Sequence, residues 1–411
     1  MNCVLGPENI LHDTVLFRVV YDGVGRVLPC WLSYVVAGLV IMLILVNAVL
    51  LGAAVLSWME RRLIGRMHNR IGPNRWGPFG ILQPIADLVK LMTKEDLTPA
   101  NADRVAFLMV PILMLMPVIL VLAVVPFAKD TALADLNIGV LYVLAVGSVS
   151  TVAIFMAGWS SNNRYAMFGA ARGVAVLISY ESPLVLSLLG VVLVAGSMSL
   201  SDVVDAQTVP FLLVQPMALF VFLAGMSAEL NRTPFDVAEA ESELIAGYHI
   251  EYSGIKFALI QAAEFGATLA AAGLVVTFFL SGWQGPAATY IGWLWFLLKM
   301  GVVIFLFIWV RATFPRLRID QLMALAWKFL LPLGLINLAV TTVEVYFFRN
   351  DSGVLSTGDL WVMTGINMAV FLVSIGLFGT LIREKVKPAG QLRAATTGAP
   401  ASAPVSVSEV S

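Results

Sequence analysis

The stretch WLSYVVAGLVIMLILVNAVLLGAAVLSW, residues 31–58, contains no charged side chain. A helix needs about 20 apolar residues to cross the hydrocarbon core of a bilayer. The stretch therefore predicts a transmembrane helix, and eight further apolar stretches follow it. We expect an all-α, polytopic membrane bundle of about nine transmembrane helices. The predicted spans are 31–58, 105–127, 137–159, 172–195, 210–228, 256–280, 290–312, 326–348 and 359–382.

The composition of the whole chain supports this class. Of its 411 residues, 59% are hydrophobic and 12% are charged, against about 25% charged residues in soluble domains. The net charge of -1 offers no basic surface for nucleic acid. Two cysteines (Cys3 and Cys30) and three histidines exclude a cysteine-held iron–sulfur cluster and disfavour zinc. Whether Cys3 and Cys30 pair stays open. Phosphate-loop and GxGxxG motifs are absent from the sequence, so we expect no cofactor bound by this chain alone.

Lysine and arginine set the predicted topology. Residues 1–30 are too mixed in polarity to span and resemble no removable signal peptide. If they lie outside, the inner segments hold 18 of the 25 Lys and Arg residues and the outer segments hold four. This excess predicts an outer N-terminus and an inner C-terminus. Residues 31–382 would form the membrane domain, and the Ala-, Ser- and Pro-rich tail 383–411 would be disordered in the cytoplasm.

The first inner loop, 59–104, is too long for a simple connector. It begins with a run of arginines, and glycines and prolines then interrupt any helix. Over 79–92 the apolar residues Leu82, Ile85 and Val89 recur at helical spacing, which predicts an amphipathic helix. It could lie in the membrane interface or cover apolar surface of the bundle. A second interpretation is that it frames a mouth through which a lipid-soluble molecule enters.

Two carboxylates stand out inside the predicted spans. Glu181 and Glu264 have no obvious cationic partner within their own spans. Ionisable groups at membrane depth are functional candidates by default, because burying them is costly. Such a group can hold or release a proton and so act as a relay. The alternative is a neutral glutamate that is hydrogen-bonded to serine or to the backbone.

The inner loop 229–255 is acidic although inner loops are expected to be basic. Its carboxylates, separated by apolar residues, could titrate as a coupled set and form a proton path. The alternative is an acidic docking surface for a partner. Arginines near 311–318 and at Arg172 could pair with this loop or could simply anchor the topology. The loop carries Glu229, Asp236, Glu239, Glu241, Glu243 and Glu251 against Arg232.

Four segments carry a family resemblance. MERRLIGRMHNRIGPNRWGPFGILQPIADLVKLMTKED (59–96) and AELNRTPFDVAEAESELIAGYHIEYSG (228–254) resemble the first inner loop and the acidic loop of the H subunit of respiratory complex I. ISYESPL (178–184) and WVRATFPRLRIDQLM (309–323) are similar to two further family segments. The resemblance covers roughly residues 31–348. The ninth span and the tail depart from many family members.

The resemblance implies a role in the proton-pumping NADH:quinone oxidoreductase. The subunit would anchor the peripheral arm, form the quinone tunnel with it, and carry the first part of a proton path. The resemblance gives Glu229 less weight in this path than the other carboxylates. The implied proton path is Glu181, Asp236, Glu239, Glu241, Glu243, Glu251 and Glu264. The implied tunnel and access residues are Arg61, Arg70, Ala86, Asp87, Arg311, Arg316 and Arg318. The implied supporting ion pairs involve Arg172, Arg232 and Asp320.

The resemblance also implies the surroundings of the chain. The substrate would be a quinone, menaquinone or ubiquinone, while NADH, FMN and iron–sulfur clusters would be bound by partner subunits. The partners would be the quinone-site and cluster-carrying peripheral subunits and small membrane subunits beside antiporter-like ones, within the lipid of a bacterial inner membrane. One alternative is a related subunit of a hydrogenase-type or deazaflavin-dependent complex. Another is a stand-alone proton-coupled transporter, which predicts inverted repeats that the sequence lacks.

Overall fold

The fold is known from a computed structural model that describes residues 15–24, 29–129, 131–238, 245–349 and 355–385. Within these ranges the regular structure is entirely helical, which confirms the predicted all-α bundle. The helices are α1 (Val15–Val24), α2 (Cys30–Met67), α3 (Gln83–Thr93), α4 (Arg104–Val124), α5 (Gly139–Ser160), α6 (Arg164–Ala195), α7 (Leu200–Asp205), α8 (Phe211–Val214), α9 (Pro216–Glu229), α10 (Gly254–Phe279), α11 (Ala288–Thr313), α12 (Ile319–Phe348) and α13 (Thr357–Lys385).

Eight helices in the described part of the chain are long and apolar enough to cross a membrane. The predicted span 210–228 differs, because it consists of α8 and α9 with a break at Gln215. Gln215 has φ −131° and ψ 64°, and the proline at 216 disfavours helical backbone at the residue before it. With 14 residues, α9 extends over about 21 Å, less than the roughly 30 Å of hydrocarbon.

Helix α6 runs through the centre of the bundle and packs against α5, α9 and α12. Small residues allow this close packing, as is usual between membrane helices. A Cβ at Gly158 of α5 would lie 2.4 Å from the Cβ of Ala170 on α6. Helix α2 lies at the periphery and exposes Leu39, Leu43 and Leu51, as expected for a surface that faces lipid.

Two shorter helices flank α2. Helix α1 packs Phe17 and Tyr21 against Ala37 and Ile41 of α2, and its ten residues are too few to span. Helix α3 confirms the predicted amphipathic helix, although it begins at Gln83, after a turn at Pro78–Gly80. Its apolar face is not covered by the bundle, since Val89 is 54% exposed.

The connections divide the bundle into two ends. At one end, which we call the loop end, α2 and α9 end and α6, α10 and α12 begin. The loop end carries residues 68–103, 230–238 and 245–253. The far end is where α6 and α12 end and α9 and α13 begin. The sequence predicts that the loop end is the inner side, and this orientation remains a prediction. Cys3, the 239–244 segment and most of the tail lie outside the described residues.

Candidate functional site

A cavity of about 130 Å³ lies inside the bundle between α4, α5, α6, α9 and α10. Three carboxylates from three helices line it, namely Glu181 of α6, Glu229 of α9 and Glu264 of α10. Most of the remaining wall is apolar, with Leu188 and Phe222 as examples. We call this space the carboxylate cavity. Its volume can hold several water molecules, each of which needs about 10–15 Å³ and polar partners.

Tyr248 holds Glu264 in place. The Tyr248 hydroxyl donates a 2.7 Å hydrogen bond to Glu264 Oε1, and Tyr248 itself is fully buried. It sits on a short 3₁₀ turn that lies directly against α6. A Cβ at Gly169 of α6 would be 2.8 Å from the Gly247 Cα atom, so this close approach requires glycine. The sequence pointed to Glu264 but did not single out Tyr248, whose role depends on a contact between separate elements.

Glu229 belongs to the carboxylate cavity although the family resemblance gave it less weight. It is the last residue of α9, and its Oε1 atom would lie 3.0 Å from a Cβ at Gly147 of α5. Its charge interacts unfavourably with that of Glu181. The carboxyl groups of Glu181 and Glu229 therefore act on each other in the cavity wall.

Asp236 connects the cavity to the arginines of the loop end. Its Oδ2 atom lies 3.1 Å from Arg316 Nη2, whereas its Oδ1 atom is buried without a hydrogen-bond partner among the described residues. Burial raises the pKa of Asp236; Arg316 and Arg311 oppose this rise, and the negative charge of Glu264 adds to it. The pKa stays above its usual value, so the protonation of Asp236 responds to charge in the cavity.

Glu60 is a buried carboxylate that sequence reasoning missed. It lies near the end of α2 and forms ion pairs with both Arg232 and Arg311. Only 7% of its side chain is exposed, so its two cationic partners compensate a charge that would be costly alone. The ion pair of Arg311 is thus with α2, whereas Arg316 pairs with the acidic loop. The sequence did offer a signal, because Glu60 directly precedes the run of arginines that begins at Arg61. The sequence analysis considered only the arginines of that run.

The predicted tunnel residues fall into separate groups. Arg61 donates a 2.6 Å hydrogen bond to Asp87 of α3, and Lys90 lies 3.3 Å from the same carboxylate. Partial burial raises the pKa of Asp87, but Arg61 and Lys90 outweigh it and hold the pKa below its usual value. Ala86 precedes Asp87 on α3. Arg70 instead lines an open basic pocket with Arg62 and Arg66.

The other predicted site residues that the structure describes lie outside the cavity wall. Glu251 accepts a 2.7 Å hydrogen bond from Asn163 in a separate surface pocket. Arg318 precedes α12 and Asp320 lies in its first turn; both are exposed, and within the described ranges neither forms an ion pair. Arg172 lies on α6. Glu239, Glu241 and Glu243 are outside the described residues. The described part contains no group of acidic, histidine or cysteine residues placed to hold a metal.

A sequence profile of the NADH dehydrogenase family matches residues 39–342. The chain belongs to this family. The chain is 51% identical to the H subunit of an NADH-quinone oxidoreductase from Dehalococcoides mccartyi strain CBDB1. The match covers 83% of this chain and 94% of the relative. The corresponding H subunit from Geobacillus kaustophilus is 51% identical over 70% of this chain and 88% of its own length. An H subunit from Geobacter sulfurreducens is 48% identical over 70% of this chain and 90% of its own length.

Family membership confirms the resemblance that the four segments carried. The relatives are subunits of a multi-subunit enzyme. The matched residues include Glu60, the carboxylate cavity and the described part of the acidic loop. The profile ends within α12, so the end of that helix and all of α13 lie beyond the family match.

Proposed function

We propose that the chain is the H subunit of a proton-pumping NADH:quinone oxidoreductase, where it couples quinone reduction to proton movement. The observation that carries this proposal is the carboxylate cavity. Glu181, Glu229 and Glu264 reach it from three helices, and the charge of Glu264 acts on Asp236 at the loop end. Charge placed at the loop end would therefore alter proton binding inside the membrane.

The quinone would enter at the loop end. Helix α3 presents an uncovered apolar face that includes Ile85 and Met92, which suits the isoprenoid tail of a quinone. The Glu60 ion pairs with Arg232 and Arg311 lie at this end and offer polar contacts for its head group. We propose that the loop end and the peripheral subunits together enclose the tunnel in which the quinone is reduced.

The coupling would be electrostatic. Reduction of a quinone to a neutral quinol takes up two electrons and two protons. Groups at the loop end that supply these protons would be left more negative, which would change the charge near Asp236 and Arg316. An interaction of about 1.4 kcal/mol changes a proton-binding constant tenfold. The coupled pair Glu181 and Glu229 would pass this change on towards antiporter-like subunits. The chain would perform no redox chemistry alone, since NADH, FMN and iron–sulfur clusters would be held by partners in a bacterial inner membrane.

The experiment that tests this function is purification of the tagged chain from its native membrane in mild detergent. We expect a large, iron-rich assembly that oxidises NADH, reduces quinone and is inhibited by quinone-site inhibitors. An iron-rich assembly that uses hydrogen or a deazaflavin instead would assign the chain to a related complex. A chain that elutes alone and without iron, under conditions that preserve other respiratory complexes, would contradict the proposal.

A further inference from the structure

A row of buried polar side chains lies outside the carboxylate cavity, on one face of α12. Asn337, Thr341 and Glu344 recur at i, i+4 and i+7, and they are 2%, 0% and 4% exposed. Facing them is Gln215 at the break between α8 and α9, which is fully buried. We call these four residues the polar column. Burying a polar group in a membrane helix costs free energy unless the group is hydrogen-bonded. Buried ionisable groups in membrane helices are therefore functional candidates.

Hydrogen bonds connect one half of the polar column. Gln215 Nε2 donates to the Gly190 carbonyl at 3.1 Å and to Thr341 Oγ1 at 3.4 Å. Thr341 Oγ1 in turn donates to the Asn337 carbonyl at 2.8 Å. The bond that Thr341 donates is the i to i−4 bond common for threonine in a helix, so the contact that joins two elements here is the one from Gln215.

Three buried polar atoms of the column have no hydrogen-bond partner among the described residues. They are Gln215 Oε1, Asn337 Nδ2 and Glu344 Oε1. Gly190 of α6 leaves room for the first two, since a Cβ there would lie 2.8 Å from Asn337 Nδ2 and 3.2 Å from Gln215 Oε1. Buried polar atoms rarely stay unpaired. Two of these atoms lie on one face of α12 and the third belongs to Gln215, which faces it; together they indicate a space that a proton or water molecule can occupy.

Glu344 is the titratable member of the column. Asn367 of α13 donates a 2.8 Å hydrogen bond to Glu344 Oε2. Within the described ranges no charged or titratable side chain of α6, α9, α12 or α13 forms a hydrogen bond or ion pair with this carboxyl group. Arg349, the nearest cation along the chain, lies against Gly196 at the end of α6. Within the described ranges the Glu344 carboxyl group is thus hydrogen-bonded to a neutral amide and to no cationic side chain.

The position of the column relates it to the carboxylate cavity. Gly190 lies nine residues after Glu181 on α6, which is about 14 Å along the helix. From Asn337 to Glu344 the column extends about a further 10 Å towards the far end. Leu188 of the cavity wall lies between the two sites. The polar column thus begins at about the depth of the cavity-wall residue Leu188 and continues from there towards the far end.

From this arrangement we propose that Glu344 is a second proton-binding site of the membrane bundle and that the polar column conducts protons to Glu344, its member nearest the far end. Helix α13 then has a defined role, because it supplies Asn367 and seals Glu344 from lipid. Both residues lie beyond the family match at residue 342. The proposal needs only these contacts and does not depend on quinone chemistry at the loop end.

Infrared difference spectroscopy of the purified assembly in lipid discs, between acid and alkaline media, tests the proposal. A protonated carboxyl group has a C=O stretching band that a carboxylate lacks. We expect such a band to disappear as the pH rises, to be absent in Glu344→Gln, and to shift in Asn367→Leu, which removes the hydrogen bond to Oε2. Thr342→Val, on the exposed side of the same helix, should leave the band unchanged.

Two results would overturn the proposal. One is a spectrum in which Glu344→Gln removes no carboxylic acid band at any pH. The other is a band from Glu344 that persists unchanged over the whole range in which the assembly is intact, because a permanently protonated group carries no proton.

A second measurement tests conduction. Gly190→Ala places a methyl group between Gln215 and Asn337, and we expect it to lower proton translocation per electron while the infrared band of Glu344 remains. Unchanged translocation in both Gly190→Ala and Glu344→Gln would contradict conduction through the column. Such a result would leave the proposed function of the carboxylate cavity intact if variants of Glu181 reduced proton translocation in the same preparation.

Discussion

Tyr248 donates its hydroxyl proton to Glu264 across 2.7 Å in the wall of the carboxylate cavity. This contact joins the acidic loop to α10 and fixes one of the three cavity carboxylates. A hydrogen bond to a charged group typically contributes about 1.5–3 kcal/mol. The contact therefore fixes the position of Glu264, whose charge acts on Asp236.

The first prediction concerns this hydrogen bond. Tyr248→Phe removes the donor but keeps the ring, so the expected result is a displaced pH profile of coupled quinone reduction with an assembled complex. The measurement is the pH dependence of NADH:quinone reductase activity in membrane vesicles. Tyr252→Phe is the matched control, because its hydroxyl contacts Ser160 outside the cavity. Identical profiles for wild type and Tyr248→Phe would show that the contact is only structural.

The second prediction concerns the coupling between Glu181 and Glu229. Since the two carboxylates repel each other when both are charged, neutralising one should alter the effect of neutralising the other. In a double-mutant cycle with Glu181→Gln and Glu229→Gln, we expect non-additive losses in proton translocation, with an interaction of roughly 1 kcal/mol. Strictly additive losses would mean that the two groups act independently.

A third prediction follows from the buried Glu60 ion pairs. Glu60→Gln leaves Arg232, whose side chain is 11% exposed, without its full counter-charge. Removing one partner of a buried pair typically costs about 3–5 kcal/mol, so we expect a lower temperature of thermal inactivation and less assembled complex. Asp87→Asn should change thermal stability little, because exposed pairs contribute about 0–1 kcal/mol and Arg61 is 52% exposed. Equal effects of the two substitutions on thermal stability would contradict the expected difference between the buried Glu60 ion pairs and the exposed Arg61–Asp87 pair.

The fourth prediction uses the raised pKa of Asp236. A carboxyl whose pKa is higher in the folded than in the unfolded chain stabilises the fold fully below the unfolded value. This stabilisation is lost as the pH rises from the usual aspartate value of 3.8 through the raised pKa. Asp236→Asn should therefore flatten the fall in thermal stability over that window. Asp320→Asn, in the first turn of α12, should keep the wild-type slope. A steeper slope in Asp236→Asn would contradict the stated direction.

Several features of the fold were predictable because they depend on local composition. Long uncharged stretches such as 31–58 must form helices in lipid, where the backbone has no other partner. The α3 helix followed from the spacing of its apolar residues. The break at Gln215 was the main difference in the span pattern. There a single proline outweighs an apolar window that hydropathy alone assigns to one continuous helix.

The site was only partly predictable. Glu181 and Glu264 stand out because they interrupt apolar spans. Glu60 and Tyr248 do not, because the importance of each arises from partners far away in the chain, such as Arg311 for Glu60. Glu344 was missed for a related reason: it lies near the end of its helix, where a carboxylate is unremarkable until α13 covers it.

The most direct test is the number of protons translocated per electron in reconstituted vesicles that contain the complex with Glu181→Gln. The variant should still pass electrons from NADH to an artificial acceptor at the wild-type rate, because this route avoids the quinone and the membrane bundle. Its proton-to-electron ratio with quinone should fall, while Asp202→Asn, an exposed far-end carboxylate, should keep the wild-type ratio. Wild-type quinone reduction and a wild-type ratio in Glu181→Gln would contradict a coupling role for the carboxylate cavity.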